Sequence, residues 1–343
     1  MKLLIITQIV DRQDPVLGFF HHWVEELAEQ CDLITFVGLR VGEYCLPDNV
    51  EVLSLGKEAQ PSRLKYIWRF CKHIWQKRNN YDAVFVHMNQ EYILLAGWWW
   101  RLIGKRVTMW RNHHSGSLLT DIAAMFCNRV FCTSKYSYTA KYKKTVLMPV
   151  GIDLNLFKPD PNIKRVPRSI LFLARLAPSK RPHLFIEALA LLRDRGGAFE
   201  ASIYGDALPR DREYYLGLRQ QVERLGLRDR VRFYSAIPND QTPLIYNRHE
   251  ACVNLSSSGM YDKTIFEAMA CGCLTLASND NLRGQIDDQL IINDYQAQEI
   301  AGQMAGVIFW PVAKKEQVIS AEAALVKKHS LPVLLTELVK YIQ

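Results

Sequence analysis

Two cationic residues follow a short apolar run that has the pattern of a buried strand. Arg175 and Lys180 come directly after residues 170–174 (ILFLA), and Pro182 stands where a helix is predicted to begin. A guanidinium group presents a planar fork to phosphate oxygens, and an ammonium group presents a concentrated positive charge. At the carboxyl end of a strand, this pair predicts a binding site for a diphosphate, and the alternative is a solvated surface loop.

A second stretch, residues 255–279, combines a polar turn with a helix that carries one acidic residue. Glu267 lies inside the apolar run 265–270, and Asp262 and Lys263 are the charged residues of the turn before it. The first N–H groups of a helix have no partner within the helix and lie at the positive end of its dipole, so they attract anions. We therefore expect a ligand with phosphate and hydroxyl groups at this turn.

Three further residues stand where predicted strands end or helices begin. Gly205 follows a strand in the sequence YGD, Gly18 lies between the first strand and the first helix, and His113 ends a strand in the first half of the chain. A glycine lets a ligand approach the backbone, and a histidine can contact a sugar hydroxyl or transfer a proton. Purely structural roles stay open for the glycines. The sequence lacks a GxGxxG motif, which argues against a dinucleotide-dependent oxidoreductase.

Strand and helix patterns alternate along the chain without hairpin signals, which is typical of doubly wound parallel sheets. The pattern breaks at residues 158–168, which hold three prolines and four basic residues, and then starts again. The predicted fold class is therefore α/β, with Rossmann-like domains in residues 1–160 and 161–326 and a final helix in 327–343 that packs back on the first domain. Ligands bind beyond the carboxyl ends of such strands, so we expect the site in a cleft between the domains.

The composition excludes several classes of protein. The chain has 343 residues, of which 49% are hydrophobic and 23% charged, as in a soluble globular protein of two domains. No apolar run is long enough for a transmembrane helix, and the first residues have the pattern of a strand rather than of a signal peptide. The eight cysteines form no CxxC pair, so we expect reduced and mostly buried thiols. These features predict a cytoplasmic protein.

The formal charge of +8 is concentrated in the first half of the chain. Residues 63–78 hold six basic and no acidic residues, with Trp68 and Trp75 interleaved among the charges. Such a helix either packs its aromatic residues inward or lies on an anionic membrane surface, which we consider for residues 63–80. The basic charge is not accompanied by a known nucleic-acid-binding motif, so nucleic-acid binding is the less favoured alternative. The three adjacent tryptophans of residues 98–100 cannot share one helix face, so at least one of them must be exposed.

Taken in order, four stretches resemble the retaining glycosyltransferases of family 4, which have the GT-B fold of two Rossmann-like domains facing a central cleft. The resemblance implies transfer of a sugar from a nucleotide diphosphate sugar to a polysaccharide or lipid-linked acceptor. It also implies attack on the same face as the leaving group, without a metal or cofactor, at the cytoplasmic face of a membrane. The four stretches are ARLAPSK, YGD, PVGIDLNLFKP and SSSGMYDKTIFEAMACG.

The resemblance also implies roles for individual residues. Arg175 and Lys180 would neutralise the diphosphate, Glu267 would bind the ribose hydroxyls, and His113 would contact the sugar near the acceptor. Gly18 and Gly205 would let a ligand approach the backbone. The donor sugar or its phosphate would meet the backbone N–H groups of Met260, Tyr261 and Asp262.

One departure from the family pattern concerns the first of its two glutamates, because Gly259 occupies that position. We expect Asp262 to replace the missing carboxylate and Lys263 to add a phosphate contact. Two alternatives to an active transferase stay open. The first is a binding protein of the same fold that has lost its activity. The second is a GT-B-type epimerase, which would need a pair of acid and base carboxylates.

Overall fold

Seven parallel strands form the sheet of the first structural unit, in the order β3-β2-β1-β4-β5-β6-β7. Both of its faces are covered, since one apolar cluster lies against α1 and another against α2, α3 and α4. Burial on both faces explains why the central strands are continuous apolar runs. The strands are β1 (Lys2–Val10), β2 (Leu33–Val41), β3 (Val50–Ser54), β4 (Ala83–His87), β5 (Arg106–Trp110), β6 (Arg129–Cys132) and β7 (Thr145–Leu147). The helices are α1 (Gly18–Ala28), α2 (Arg63–Gln76), α3 (Glu91–Leu102) and α4 (Leu118–Phe126).

Five parallel strands form the sheet of the second unit, in the order β10-β9-β8-β11-β12, around a single large apolar cluster. The strands are β8 (Val166–Leu173), β9 (Glu200–Tyr204), β10 (Val231–Tyr234), β11 (His249–Asn254) and β12 (Leu274–Ala277). The helices are α5 (Pro182–Asp194), α6 (Arg212–Arg224), α7 (Thr242–Arg248), α8 (Lys263–Ala270), α9 (Ala297–Ile308) and α10 (Val312–Lys328).

The computed structural model describes residues 1–60 and 62–343. Its first unit comprises Met1–Pro149 and Leu331–Gln343, and its second comprises Val150–Ser330. The sequence had placed this division at residue 160 and the final segment at 327. Residues after Pro149 join the second unit because Val150, Ile152 and Phe157 are buried in its core. The last helix, α11 (Leu331–Ile342), packs against α1 of the first unit.

Each sheet contains one place where the chain order of neighbouring strands reverses. This crossover lies between β1 and β4 in the first unit and between β8 and β11 in the second. Parallel strands end at the same edge of their sheet, and the crevice at such a crossover is where open α/β sheets bind ligands. The fold therefore directs attention to the loops that follow these four strands.

Three whole-chain expectations can be compared with the structure. No helix of the described residues is long and apolar enough to cross a membrane. All eight cysteines are unpaired, and six of them are buried. The same described part of the chain contains no cluster of three histidine, cysteine or acidic side chains with the arrangement of metal ligands. Beyond β12, Asp288–Leu290 form a 3-10 turn, and Ile291 makes an isolated bridge to Ala277.

Candidate functional site

The loop after β8 presents three cationic side chains at the crossover of the second unit. Arg175 is exposed, and Lys180 ends a short 3-10 turn, Pro178–Lys180. Arg181 follows in the left-handed conformation, with φ of 56°, and α5 begins directly after it. Its Nη1 donates to the carbonyl of Leu255 at 2.6 Å, and its guanidinium lies 3.8 Å from the ring centre of Tyr295. Arg181, which the sequence did not indicate, thus ties the β8 loop to the end of β11.

Lys180 and Asp262 meet across this crossover, although 82 positions separate them in the chain. Lys180 Nζ lies 2.5 Å from Asp262 Oδ2 and donates to Ser256 Oγ at 2.9 Å. Ser256 Oγ in turn donates to the same carboxylate oxygen at 2.8 Å. The three side chains form a closed polar triangle, so the ammonium group of Lys180 is held in one place before any ligand arrives.

Asp262 also begins α8. Its Oδ1 accepts from the backbone N–H of Thr264 at 3.4 Å and from the hydroxyl of Thr264 at 3.1 Å. Burial raises the pKa of Asp262, but the positive charge of Lys180 and the hydrogen bonds from Lys180, Ser256 and Asn254 outweigh burial and hold the pKa well below its usual range. The carboxylate is therefore ionised, and both of its oxygens are engaged within the unit.

Glu267 has a different environment one turn further along α8. Its side chain is only 3% exposed, and its two oxygens accept hydrogen bonds from Asn239 Nδ2 at 3.0 Å and from the hydroxyl of Tyr246 at 3.1 Å. Burial raises the pKa of Glu267, and the positive charge of Lys263 and these two hydrogen bonds oppose that rise. A carboxylate has about four lone-pair positions, so further hydroxyl donors can be accommodated. The sequence did not indicate Asn239 or Tyr246.

Lys263 connects α8 to the segment that opens the second unit. Its Nζ donates to the carbonyl of Gly151 at 2.8 Å, and Gly151 has φ of 77°, a conformation that favours glycine. The N–H of Gly151 donates to the carbonyl of His329 at 2.9 Å. Burial lowers the pKa of Lys263, which the carboxylates of Glu267 and Asp153 oppose. In this structure Lys263 therefore fastens the PVGID segment, in which Asp153 caps the turn that follows it.

The turn before α8 is held by the loop after β12. Tyr261 is 8% exposed, and its hydroxyl donates to the carbonyl of Asn281 at 2.9 Å while its ring packs edge-on against Phe266. Asn279 Nδ2 donates to the carbonyl of Met260 at 2.8 Å. The side chain of Tyr261 belongs to the core, so this residue has only its backbone left to meet a ligand.

Gly205 ends β9 at a point where two backbone segments nearly touch. Its φ is 145°, and a Cβ added there would lie 2.0 Å from the carbonyl oxygen of Ala174. Gly18, at the start of α1 in the first unit, is less crowded, since a Cβ would lie 2.8 Å from the carbonyl oxygen of Arg12. Close backbone packing thus accounts for both glycines, whether or not a ligand also approaches them.

Part of this chain resembles known glycosyltransferases in sequence. Residues 155–318 match the family model described as Glycosyl transferases group 1. A D-inositol 3-phosphate glycosyltransferase of Segniliparus rotundus is 25% identical over 185 residues, which cover 49% of this chain and 41% of that protein. The mannosylfructose-phosphate synthase of Agrobacterium fabrum is 28% identical over 153 residues, which cover 41% of this chain and 34% of that protein. These matches cover less than half the length of the curated relatives, and they give residues 155–318 the character of a glycosyltransferase domain.

Solved structures match the whole chain. Anabaena HepE in complex with UDP-glucose superposes with a TM-score of 0.78 at 19% identity, covering 99% of this chain and 98% of that one. WaaG, a glycosyltransferase involved in lipopolysaccharide biosynthesis, gives a TM-score of 0.71 at 14% identity, covering 99% of both chains. The chain has the GT-B fold. The two Rossmann-like domains predicted from the sequence are confirmed.

At the other crossover of this GT-B chain, in the first unit, a side-chain hydrogen bond rather than an ion pair joins the two strands. Thr7 Oγ1 and His87 Nδ1 lie 3.1 Å apart, and the ring of Phe20 stacks on His87 at 4.0 Å. Met88 follows β4 in the left-handed conformation, with φ of 73°, although it is neither glycine nor asparagine. Gln8 Nε2 donates to Asn89 Oδ1 at 2.6 Å. The sequence indicated none of these residues, because uncharged side chains after a strand carry no distinctive chemistry.

His113 also belongs to the first unit. It is exposed after β5, its Nδ1 accepts the backbone N–H of Ser115 at 3.0 Å, and its ring stacks on His114 at 4.6 Å. Of the ten residues suggested by the sequence, Gly18 and His113 lie in the first unit and the others in the second. Within the second unit, the structure directly joins Lys180 to Asp262.

Proposed function

We propose that this protein is a retaining glycosyltransferase that moves a sugar from a nucleotide diphosphate sugar to a polysaccharide or lipid-linked acceptor. The observation that carries the proposal is the polar triangle of Lys180, Asp262 and Ser256 at the crossover of the second unit. It fixes a cation at the position where a Rossmann-like sheet binds its ligand. The match of residues 155–318 to glycosyltransferases supports the same activity.

The diphosphate gains negative charge as the bond to the sugar breaks, so fixed cations beside it lower the barrier. In our proposal, Lys180 is the fixed cation, because Asp262 and Ser256 hold it in place. Arg175 is the adaptable cation. It is exposed and makes no hydrogen bond or ion pair with other described residues, which leaves its planar fork for phosphate oxygens.

Asp262 acts through Lys180 in this proposal rather than on the sugar. Both of its oxygens are engaged, one with Lys180 and Ser256 and the other with Thr264. In the family, the first glutamate lies by the donor sugar. In this chain we assign that contact to the backbone of Met260 and Asp262. This assignment supersedes our expectation that the Asp262 carboxylate replaces that glutamate.

Glu267 is the proposed ribose ligand. Asn239 and Tyr246 fix the orientation of its carboxylate, so the lone pairs that they leave have a defined direction. Preorganised acceptors of this kind bind hydroxyl groups without a cost of reorientation. The bond between the sugar and the diphosphate then breaks, and the acceptor oxygen bonds to the sugar on the face that the phosphate leaves. The leaving phosphate accepts the proton of the acceptor hydroxyl. His113 of the first unit is the proposed contact near the acceptor.

The donor class follows from the nature of the site. Two cations for phosphates and one oriented carboxylate for paired hydroxyls match a ribose with a diphosphate attached. The HepE structures hold UDP and UDP-glucose, and we propose a donor of the same class here. We further propose that transfer occurs at the cytoplasmic face of a membrane, with residues 63–80 in contact with anionic lipid.

The test combines binding with turnover. Thermal unfolding is followed with UDP-glucose and with GDP-linked and ADP-linked sugars, since a ligand at about 100 times its Kd stabilises the fold by about 2.7 kcal/mol. Nucleotide release is then measured for the native chain and for Glu267→Gln. We expect one donor to raise the melting temperature and Glu267→Gln to weaken its binding.

Each other outcome has a meaning. If a donor raises the melting temperature but no nucleotide is released with any acceptor, the chain is a binding protein of the same fold. If no nucleotide sugar stabilises it, or if release proceeds equally in Glu267→Gln, the proposed site is wrong.

A further inference from the structure

A continuous apolar surface covers the outer sides of α2 and α3 in the first unit. We propose that this surface docks on an anionic lipid bilayer by inserting its tryptophans between the headgroups. This inference rests on the membrane contact proposed for residues 63–80 and extends it to a second helix, whereas sugar transfer does not depend on it. We call it the tryptophan surface, and it consists of Leu64, Trp68, Trp75, Trp98, Trp99 and Leu102.

α2 divides its apolar residues between two sides. Phe70 and Ile74 are buried against the sheet, while Leu64, Trp68 and Trp75 are 78%, 61% and 57% exposed. The spacings of four and seven residues place these three side chains on one stripe of the helix. Of the two alternatives for this helix, inward packing of the aromatic residues therefore holds for Phe70 but not for the two tryptophans.

α3 continues the same surface. Of its three adjacent tryptophans, Trp100 is buried and Trp98 is 52% exposed, which confirms that the run cannot face one way. Leu102 is 76% exposed on the same side as Trp98. Trp99 is partly buried and joins the two helices, because its ring lies 5.9 Å from that of Trp75. Neighbouring exposed apolar side chains on a protein surface mark a site of interaction.

Positive charges surround these tryptophans. Lys72 Nζ lies 5.2 Å from the ring centre of Trp68, and Arg78 Cζ lies 4.8 Å from that of Trp75. Residues 63–80 contain no acidic residue. Tryptophan rings favour the boundary between headgroups and acyl chains, and cations beside them attract anionic headgroups. The rings are therefore suited to the boundary between headgroups and acyl chains, and the cations beside them are suited to the anionic headgroups.

Charge also separates a bilayer from the main alternative, a second copy of this chain. A two-fold interface would bring the same patch of each copy together, and both patches are basic. Like charges opposed across an interface weaken association, and lysine is depleted at the centres of protein interfaces. An anionic bilayer complements the same charges, so the tryptophan surface fits lipid better than it fits a copy of itself.

The experiment uses the full chain and vesicles made of equal parts phosphatidylcholine and phosphatidylglycerol, with pure phosphatidylcholine for comparison. The test variant is Trp68→Ser, Trp75→Ser and Trp98→Ser together. The control is Phe309→Ser in the second unit, where an exposed aromatic ring also lies beside a cation, Arg168. We expect cosedimentation of the native chain and the control with anionic vesicles, and about tenfold weaker partitioning of the triple variant.

A second variant tests the charges separately. Lys72→Gln with Arg78→Gln keeps the tryptophans, so its binding to anionic vesicles should weaken by about tenfold and become less sensitive to salt. Quenching of tryptophan fluorescence by lipids with brominated acyl chains measures insertion directly and should fall in the triple variant, which keeps only Trp99 of the tryptophans in this surface. Circular dichroism and melting with the donor nucleotide verify that each variant is folded and keeps its second unit intact.

Two results would overturn the inference. One is equal binding of the native chain and the triple variant to anionic vesicles. The other is a native dimer in sedimentation analysis that the triple variant abolishes, with no vesicle binding by either protein, which would assign the surface to a second copy. If the triple variant loses vesicle binding while the donor still stabilises it, the membrane contact is supported and the proposed transferase activity does not depend on it.

Discussion

The two crossovers of this molecule occupy equivalent places in their sheets but differ in chemistry. In the second unit, the loops after β8 and β11 meet through the ion pair of Lys180 and Asp262. In the first unit, Thr7 of β1 and His87 of β4 meet through a side-chain hydrogen bond, and the ring of Phe20 stacks on His87. The same topology thus places an ion pair at the crossover of one unit and a side-chain hydrogen bond with a stacked aromatic ring at that of the other.

The difference shows that the topology decides where a ligand binds but not which ligand. A diphosphate demands cations, and cations near a crossover need fixing, which explains the carboxylate and hydroxyl around Lys180. A sugar acceptor instead offers hydroxyls and apolar ring faces, which neutral polar groups and aromatic rings recognise. In the proposed function, the donor site lies in the second unit and the acceptor site in the first, and the following experiments test that assignment.

The largest effect should come from removing the fixed cation. Lys180→Gln is expected to lower turnover by about a hundredfold, because the charge on the leaving diphosphate then lacks a preorganised partner. Isothermal titration with UDP should show weaker binding in the same variant. Gln8→Ala, at the crossover of the first unit, should leave UDP affinity unchanged, and Lys158→Gln controls for loss of an exposed charge. Equal losses in Lys180→Gln and Gln8→Ala would abolish the contrast between the crossovers.

The glycines that follow the strands test the packing of each unit. Gly205→Ala should cost about 3 kcal/mol of unfolding free energy, since its Cβ would lie 2.0 Å from the Ala174 oxygen and its φ of 145° is unfavourable for alanine. Gly18→Ala has more room, at 2.8 Å from the Arg12 oxygen, and should cost about 1 kcal/mol. Urea unfolding of both variants measures the difference, and a larger loss for Gly18→Ala would contradict the geometry.

The fold could be predicted from the sequence more fully than the site. Alternating patterns sufficed for the two parallel sheets because buried strands are apolar throughout. They missed β3, an edge strand of half-buried residues that includes Glu51, since its pattern is not distinctive. The domain division was placed too late because the proline-rich residues 158–168 resemble a linker, although Val150, Ile152 and Phe157 before them are already buried in the core of the second unit.

For the site, residue types could be predicted but their pairing could not. Lys180 and Glu267 were identified by their chemistry, yet the partners that orient them are distant in sequence and chemically ordinary. Ser256 and Asn239 are examples, since serine and asparagine occur in many loops. The contact of Lys180 with Asp262 depends on which strands are neighbours, and a single sequence does not specify this order. At the crossover of the first unit, the contacts among Thr7, His87 and Phe20 correspond to no recognisable sequence pattern.

The ion pair of the charged crossover should make stability depend on acid. The pKa of Asp262 is lowered in the fold, so its contribution is present above the ordinary aspartate pKa of about 3.9 and is lost as the pH falls below it. Asp262→Asn should cost about 1 to 2 kcal/mol at neutral pH, through loss of the ion pair with Lys180, since the amide oxygen of asparagine can still cap α8. That difference from the native chain should shrink towards zero in acid.

Urea unfolding at neutral pH and at about pH 3 measures the dependence on acid. Asp240→Asn, an exposed aspartate of the same unit, is the matched control and should match the native chain at both values. A difference between Asp262→Asn and the native chain that stays constant with pH would show that the carboxylate charge contributes nothing and that only its hydrogen bonds matter.

The smallest effect should come from Met88, whose backbone is strained at the crossover of the first unit. Met88 has φ of 73° and is 41% exposed, so little apolar burial depends on it. Asparagine tolerates this conformation better, and Met88→Asn should raise the unfolding free energy by about 0.5 kcal/mol. Strain of this kind is retained at binding sites. We therefore expect Met88→Asn to raise the KM for the acceptor while UDP affinity stays unchanged, and Met88→Asn with a native acceptor KM would remove the reason to place the acceptor there.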